Sequence, residues 1–188
     1  MTQTSLKHLY TFEEYLISDD GTENRYELVD GELLLMPPAT GKHEAIITLI
    51  LIRFYLEIQR LGLGWQVRPS GTGVRTATKK SRLPDLCVIT AQQKQEIENS
   101  AAVLISPPLL IVEVVSPESV KRDYEQKKAE YQEKKIPEYW IIDPLTDKVS
   151  VLLLVNNRYE ATEFTASQQI TSFTFSELAL PARQVFQA

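Results

Sequence analysis

The sequence has little cysteine and no long apolar run. Cys87 is the only cysteine among 188 residues, which excludes an internal disulfide and a cysteine-based zinc cluster. The longest apolar stretch, residues 45–52, ends at Arg53 and falls far short of the roughly 20 residues that a membrane-spanning helix needs. Residues 1–7 contain no apolar core of the kind found in secretory signals. We therefore expect a soluble, cytoplasmic protein without a membrane partner.

The chain also lacks internal repeats, low-complexity tracts and recognisable linkers. Apolar residues make up 43% and charged residues 24% of the sequence, which is ordinary globular usage. A length of 188 residues fits one domain, because domains average roughly 150 residues. We predict a single domain over residues 1–188, with its core at about 10–180.

Positive charge is scarce overall but concentrated in one segment. The 20 Lys and Arg residues are outnumbered by 25 Asp and Glu residues, for a net charge of −5. This balance excludes a general nucleic-acid coat protein, which would be basic. No acid occurs between Glu57 and Asp85, where the basic residues are Arg60, Arg68, Arg75, Lys79, Lys80 and Arg82. Such a run can follow a phosphate backbone, although a solvated loop explains the charge equally simply.

The first third of the chain predicts a short helix, a hairpin and a long helix. Thr11 and Glu14 have the spacing of a capping box, so a helix should begin there. Asp30-Gly31 separates two apolar segments and is a strong hairpin signal, because glycine readily adopts positive φ. A long apolar helix is predicted over 42–61, closed by Gly62.

The remaining two thirds predict alternating strands and helices. Strands are predicted at 65–68, 73–76, 85–90, 109–115, 138–142, 148–155 and 159–164, and helices at 118–135 and 176–180. The 109–115 segment is almost continuously apolar, which is typical of a central strand covered on both faces. The order of elements predicts a mixed α/β (α+β) fold, in which a mixed β-sheet is flanked by helices.

Two acids interrupt apolar strands and are the strongest functional signals. Asp85 stands at the start of one strand and Glu113 lies within another. A buried carboxylate costs several kcal/mol unless a cation or hydrogen bonds compensate it. In the 118–135 helix, Asp123, Lys127 and Tyr131 are spaced four apart and share one face.

These residue types suit phosphodiester hydrolysis. Two carboxylates on neighbouring strands can hold Mg²⁺, which prefers oxygen ligands and keeps several waters. A bound metal polarises a phosphoryl oxygen and lowers the pKa of a water nucleophile, and a nearby lysine neutralises developing charge. Each residue alone also has a structural explanation. Asp85 would then cap the start of a strand, Glu113 would pair with a buried cation, and Lys127 would form a surface ion pair.

A series of motifs extends over about residues 10–180. They are Tyr26-Glu27-Leu28-Val29-Asp30-Gly31-Glu32, His43, Pro84-Asp85, Val112-Glu113-Val114-Val115-Ser116-Pro117, Asp123, Lys127, Tyr131 and Glu138-Tyr139-Trp140-Ile141-Ile142-Asp143-Pro144. Together they resemble the Uma family of restriction-endonuclease-like proteins, which is common in cyanobacteria and was formerly a domain of unknown function.

The resemblance implies a restriction-endonuclease-like core of the PD-(D/E)xK superfamily. It implies that Asp85, Glu113 and the backbone carbonyl of Val114 are ligands of Mg²⁺ or Mn²⁺. Glu27 resembles an additional acid that some of these nucleases contribute. The family histidine corresponds to His43, which would accept a proton or bind phosphate.

The sequence departs from the superfamily pattern at one position. The motif lysine should follow Glu113 by two residues, but Val115 stands there. Lys127 is the predicted replacement from the neighbouring helix. Lys128 is the weaker alternative, because it points about 100° away around the helix.

The preferred function is therefore a divalent-metal-dependent endonuclease that acts on nucleic acid, DNA in particular, as a homodimer formed through an apolar surface. The predicted substrate-binding residues come from the basic segment and are Arg68, Arg75, Lys79, Lys80 and Arg82. Two alternatives remain open. The chain could be an inactive nuclease fold that binds nucleic acid, or a protein-interaction domain.

Overall fold

The computed structural model describes residues 8–188, in which strands form two sheets. The strands are β1 Tyr26–Val29, β2 Glu32–Leu35, β3 Gln66–Pro69, β4 Gly73–Ala77, β5 Lys80–Arg82, β6 Leu86–Ile89, β7 Val103–Leu104, β8 Leu110–Val114, β9 Glu138–Asp143, β10 Lys148–Val155 and β11 Arg158–Thr165. The helices are α1 Phe12–Leu16, α2 Gly41–Leu61, α3 Ala91–Glu96, α4 Lys128–Glu133 and α5 Ala182–Phe186, and a π-helical turn, Arg122–Lys127, precedes α4.

The sequence predicts one mixed sheet flanked by helices, and the structure has two sheets, both of them mixed. The small sheet has the order β2-β1-β5-β4-β7, and its β4–β7 pair is parallel. The large sheet has the order β11-β10-β9-β8-β6-β3, and its β8–β9 pair is parallel. The other neighbours are antiparallel. No helix within residues 8–188 has the length and apolarity to cross a membrane.

The predicted hairpin and both of its strands are confirmed. Val29 pairs with Glu32, so Asp30 and Gly31 form a two-residue turn. Their φ angles of 52° and 89° are both positive. Two consecutive positive φ angles match the right-handed twist of the flanking strands, which explains the Asp-Gly pair. The hairpin forms one edge of the small sheet.

Helix α2 begins and ends where the sequence predicts. The Thr40 side chain accepts the amide of His43 at the helix start, and Gly62 ends the helix in the left-handed conformation with φ 63°. Within this chain the helix is buried on one face, with the residues Ile46, Ile47, Ile50, Phe54 and Ile58. Its other face exposes Ile52, Tyr55 and Leu56 by 48%, 51% and 54%.

The central strand β8 is buried on both faces, as its apolar run predicts. On one face Val112 and Val114 pack in a cluster with α2 and α5. On the other face Ile111 packs with Tyr131 of α4 and with residues of the small sheet. All five residues of β8 are buried, so any polar side chain in this strand must find its partners inside the protein.

Two helix predictions are corrected. The predicted 118–135 helix begins only at residue 120, and residues 122–127 form a π-helical turn. Such turns are rare and occur frequently at functional sites. The predicted 176–180 helix is wrong, because residues 174–177 form a turn and the final helix is α5. Pro181 precedes that helix as its N-cap residue, in an extended conformation. Helix α3 was not predicted.

Candidate active site

A cleft of about 610 Å³ opens at the end of the large sheet. Its walls include the start of α2 and the π-helical turn. Five of the predicted site residues line it, namely His43, Asp85, Glu113, Val114 and Lys127. The volume lies within the roughly 300–1,000 Å³ of small-ligand sites. The fold therefore brings together residues that are up to 84 positions apart in sequence, from His43 to Lys127.

Asp85 ties strand β6 to the end of β8. Its Oδ2 accepts the backbone N–H of Val114 at 2.7 Å. The side chain is 16% exposed, and every hydrogen bond that it makes within residues 8–188 is at Oδ2. The Oδ1 atom therefore keeps acceptor capacity at the cleft.

His43 approaches the same point from the first turn of α2. Its Nε2 lies 3.2 Å from Asp85 Oδ2 and 3.1 Å from the carbonyl oxygen of Val114. Burial opposes the charged imidazole, but the hydrogen bond and charge of Asp85 outweigh it and raise the pKa of His43. Two oxygens predicted as metal ligands thus converge on a single nitrogen that favours positive charge.

Glu113 is held by two donors from the neighbouring helix. Lys127 Nζ donates to Oε2 at 2.7 Å, and the Tyr131 hydroxyl donates to Oε1 at 2.6 Å. The residue is 3% exposed. Burial raises the pKa of Glu113 to about 8 against the opposing charge of Lys127. The carboxylate still has free lone pairs, because each oxygen can accept two hydrogen bonds.

Lys127 is the cation at the centre of the site. Its Nζ lies 2.7 Å from Glu113, 3.3 Å from Glu27 and 3.8 Å from Asp123. Burial lowers the pKa of this ammonium, but the surrounding carboxylates outweigh burial and raise it above the ordinary value. Lys127 therefore stays protonated. Lys128 makes no ion pair with these acids in the part of the chain that the structure describes. The geometry favours Lys127 as the replacement for the strand lysine.

Glu27 lies behind Lys127 rather than in the cleft. It is fully buried and does not line the cleft. One oxygen accepts the amide of Leu83 at 3.1 Å and lies 3.3 Å from Lys127, and the other accepts from Arg82 at 2.9 Å. Burial raises the pKa of Glu27, but the charges of Lys127 and Arg82 lower it further than burial raises it. Its position suits the support of Lys127 rather than metal binding.

Arg82 is consumed by internal ion pairs. It is 1% exposed and bridges Glu27 and Glu130, to which it donates at 2.9 Å and at 2.8 and 2.6 Å. Burial lowers the pKa of Arg82, but the carboxylates of Glu130 and Glu27 outweigh burial and raise the pKa above the ordinary value. This arginine, predicted from sequence to contact phosphate, stands inside the protein.

The other predicted phosphate contacts also lie outside the cleft. They are Arg68, Arg75, Lys79 and Lys80, and like Arg82 they do not line the cleft. Lys80 pairs with Asp30 and Glu130, and the Arg75 guanidinium stacks over the Phe12 ring at 4.0 Å. The structure places these charges on β3, β4, β5 and the β4–β5 turn, where several of them serve neighbouring parts of the same chain.

Two neighbouring residues of the cleft were missed as site residues. Asp123 is 2% exposed. Its Oδ2 accepts from Ser119 at 2.5 Å, whereas its Oδ1 has no hydrogen-bond partner among the described residues. Burial raises the pKa of Asp123 against the charge of Lys127. Arg122 Nε likewise has no partner there. The four-residue spacing of Asp123 and Lys127 was the available signal for the first. Arg122 had none.

The donor set fits an oxygen-preferring divalent cation. Residues 8–188 contain no group of three or more His, Cys, Asp and Glu side chains placed to hold a metal ion. The set is instead two carboxylates, Asp85 and Glu113, with one backbone carbonyl, Val114. Mg²⁺ is usually bound by one or two carboxylates and completes its octahedron with waters and substrate phosphate. A sparse protein shell of this kind suits such an ion.

Comparison with known proteins identifies the family. The family model Uma2, described as "Putative restriction endonuclease", matches residues 12–183. The chain belongs to the Uma2 family. No curated protein matches the sequence. The match to the family model confirms the resemblance predicted from the sequence.

A solved structure shares the Uma2 fold of this chain. It is the crystal structure of a protein from Anabaena variabilis described as "a putative nuclease belonging to DUF820". The TM-score is 0.77 at 20% sequence identity, over 94% of this chain and 97% of that one. At this identity the likeness concerns the fold alone, and it confirms the predicted mixed α/β architecture.

Proposed function

We propose that this Uma2 protein is a divalent-metal-dependent endonuclease that hydrolyses phosphodiester bonds of nucleic acid, DNA in particular, with Mg²⁺ or Mn²⁺ as cofactor. One observation carries the proposal. Oxygens of Asp85 and Val114 converge within 3.2 Å of His43 Nε2, and Glu113 lines the same cleft with Lys127 bonded to it at 2.7 Å.

The metal would be held by Asp85, Glu113 and the Val114 carbonyl. When bound, such an ion polarises the phosphoryl oxygen and makes a water nucleophile available near neutral pH. His43 contacts two of these three residues at 3.1 and 3.2 Å. It is therefore placed to hold a proton, or to contact a phosphate oxygen, beside the reacting group.

Lys127 would act as a fixed positive charge and not as a base. It is protonated and donates to Glu113 at 2.7 Å, and an ammonium has no lone pair to accept a proton. A charge held in a buried site needs little reorganisation during the reaction. Its contact with Glu27 at 3.3 Å makes Glu27 a positioning residue for this ammonium.

The charge of the cleft supports metal dependence. Six carboxylates line it, those of Glu23, Glu44, Asp85, Glu113, Glu118 and Asp123. Among residues 8–188, four Lys and Arg residues line it, namely Arg25, Lys42, Arg122 and Lys127. An excess of negative charge repels a phosphodiester. A divalent cation on the acids would remove this repulsion and allow the substrate to approach.

The test is cleavage of single- and double-stranded DNA and of RNA with Mg²⁺, Mn²⁺ or EDTA. Glu113→Gln should abolish metal-dependent cleavage. Glu118→Gln is the matched control, because Glu118 is an exposed glutamate of the same cleft and should retain wild-type activity. Calorimetric titration with Mn²⁺ separates binding from catalysis, and Glu113→Gln should lose it.

The inactive-fold alternative predicts a different pattern. Nucleic acid would then bind equally to wild type and Glu113→Gln, and no strand would be cut with either metal. Absence of both binding and cleavage for all tested substrates would leave only the protein-interaction alternative.

We also propose that the protein is a homodimer. Ile52, Tyr55 and Leu56 form an exposed apolar stripe on α2 at i, i+3 and i+4 spacing. Light scattering at micromolar concentration should give twice the 21.4 kDa chain mass. Tyr55→Glu should give the monomer, whereas a monomeric wild type would contradict the proposal.

A further inference from the structure

We infer that Arg25, Lys42 and Arg122 form the phosphate-binding surface of the cleft, in place of the basic segment that the sequence indicates. This inference rests on the proposed nuclease function and adds to it the residues that contact the substrate backbone. Apart from Lys127, which Glu113 and Glu27 hold inside the protein, these three are the Lys and Arg residues that line the cleft.

Arg122 carries the strongest signal. It is the first residue of the π-helical turn, and its side chain is 23% exposed. Its Nε is buried without a hydrogen-bond partner among residues 8–188. The nearest acid, Asp123, has its Oδ1 at 3.8 Å, which is too far for a hydrogen bond. A buried donor without a partner destabilises the protein, so a ligand that accepts from it recovers that free energy.

The chemistry of arginine favours a phosphate as this ligand. A guanidinium presents donors in a planar fork that matches two phosphate oxygens. A carboxylate ligand would fit the fork equally well, but it would meet six carboxylate residues in the same cleft. A polynucleotide meets them too. It brings several phosphates at once, and the divalent cations that accompany it neutralise the acids.

Arg25 stands on the cleft wall formed by the start of β1. It is exposed, and its Nη1 donates to the Ser70 carbonyl at 3.0 Å. The amide of Ser70 donates in turn to the Asp85 carbonyl at 2.9 Å. Arg25 is therefore tethered to the backbone beside a predicted metal ligand. Its remaining donors are not engaged by other described residues, and they are available to a phosphate.

Lys42 adds a third cation on the first turn of α2. It directly precedes His43, is exposed, and donates to the carbonyl of Phe186. An ammonium has three donors, so two remain. The start of this 21-residue helix also carries the positive end of its macrodipole. Both effects favour an anion at this wall.

The experiment measures DNA affinity against salt concentration. A short fluorescein-labelled DNA duplex is titrated with protein in the presence of Ca²⁺, and anisotropy gives the binding constant at each NaCl concentration. Each phosphate contact contributes about 0.9 to the slope of log K against log salt for B-DNA. Arg25→Ala, Lys42→Ala and Arg122→Ala should each reduce that slope by about one unit.

Three further variants make the comparison decisive. Lys94→Ala removes an exposed charge on α3, away from the cleft, and should leave slope and affinity unchanged. Lys79→Ala tests the basic segment and should also have no effect. Arg122→Lys keeps the charge but not the fork, so it should restore the slope while affinity stays below that of the wild type.

The outcomes distinguish the inferred phosphate-binding surface from the proposed nuclease function. If the wild type binds DNA while the three cleft variants keep its slope, or if Lys79→Ala alone lowers it, the inferred surface is overturned and the nuclease proposal stands. If the wild type shows no saturable binding to this duplex at low salt, nor to the same strand unpaired, the proposed function fails and the inference fails with it.

Discussion

Glu27 and Asp85 are two acids that the sequence assigns to the same site, yet their surroundings differ completely. Glu27 is fully buried, and its oxygens are engaged by Arg82, Lys127 and the Leu83 amide. Asp85 is partly exposed and lines the cleft, and within residues 8–188 its side-chain hydrogen bonds are confined to Oδ2. Both carboxylate oxygens of Glu27 are engaged by groups of its own chain, whereas Oδ1 of Asp85 retains the capacity to bind a ligand.

The same contrast separates two arginines. Arg82 donates to Glu27 and in two hydrogen bonds to Glu130, while Arg122 has a buried Nε without a partner among the described residues. Charge alone does not mark a functional residue in this protein. What distinguishes the candidate residues is hydrogen-bonding capacity that the fold leaves unused at the cleft.

The largest expected effect concerns Asp85, the acid that lines the cleft. Asp85→Asn should lower the cleavage rate about 10³-fold, because a metal contributes several kcal/mol of charge stabilisation and about 1.4 kcal/mol corresponds to a factor of ten. Its free energy of unfolding should change by less than about 1 kcal/mol. For Glu27→Gln we expect a smaller loss of cleavage rate and a larger loss of unfolding free energy than for Asp85→Asn. Steady-state kinetics and urea unfolding of both variants check this. Equal kinetic losses at equal stability would erase the distinction between the two acids.

The next effect concerns Arg82, whose guanidinium is engaged by Glu27 and Glu130. Arg82→Met removes the cation that bridges Glu27 and Glu130, and breaking a buried ion pair costs about 3–5 kcal/mol. Urea unfolding should show a loss of this size. Arg122→Met is the matched control and should change the unfolding free energy by about 0.5 kcal/mol or less. A stable Arg82→Met variant would show that the internal network is dispensable.

Two buried tyrosines offer a finer comparison. Tyr131 donates to the Glu113 carboxylate at 2.6 Å, whereas Tyr139 donates to the backbone carbonyl of Asp123 at 3.0 Å. Their rings are in edge contact at 5.0 Å, so the packing is matched. Hydrogen bonds to charged groups contribute about 1.5–3 kcal/mol and neutral ones about 0.5–1.5 kcal/mol. Above about pH 8, where the Glu113 carboxyl is charged, urea unfolding should therefore show a larger loss of free energy for Tyr131→Phe than for Tyr139→Phe. The opposite ranking would mean that Glu113 is uncharged in the folded protein.

The smallest effect is a pH dependence. Burial raises the pKa of Glu130, but hydrogen bonds and charge from Arg82 outweigh burial and leave it below the ordinary 4.5. A lowered folded-state pKa contributes stability that is complete above 4.5 and is lost as pH falls through the folded value. The slope for one proton is at most about 1.4 kcal/mol per pH unit.

Glu130→Gln should consequently be less stable than the wild type at pH 6. The difference should shrink as pH falls from 4.5 through the lower folded-state pKa of Glu130, below which the wild-type residue is also neutral. Urea unfolding across this pH range measures the difference. A constant difference between the two proteins at all pH values would show that Glu130 contributes through packing alone.

Local chemistry predicted most of the elements because their signals are short-range. The Asp30-Gly31 turn, the Thr11 capping box and the Gly62 helix end need only neighbours in sequence. The 176–180 helix failed where this logic is weakest. Its apolar residues Leu178 and Leu180 are buried in the core in a non-helical segment, where tertiary packing rather than local propensity fixes the backbone.

The sequence by itself determined the secondary structure around the site and the identity of the acids Asp85 and Glu113 that line the cleft, because a carboxylate in an apolar strand demands compensation wherever it lies. Only the tertiary structure decided which charges remain available. It buried Arg82 between Glu27 and Glu130 and brought Arg25, Lys42 and Arg122 to one cleft. Charge pairing depends on distances of a few ångströms between residues far apart in the chain, and no local pattern encodes those distances.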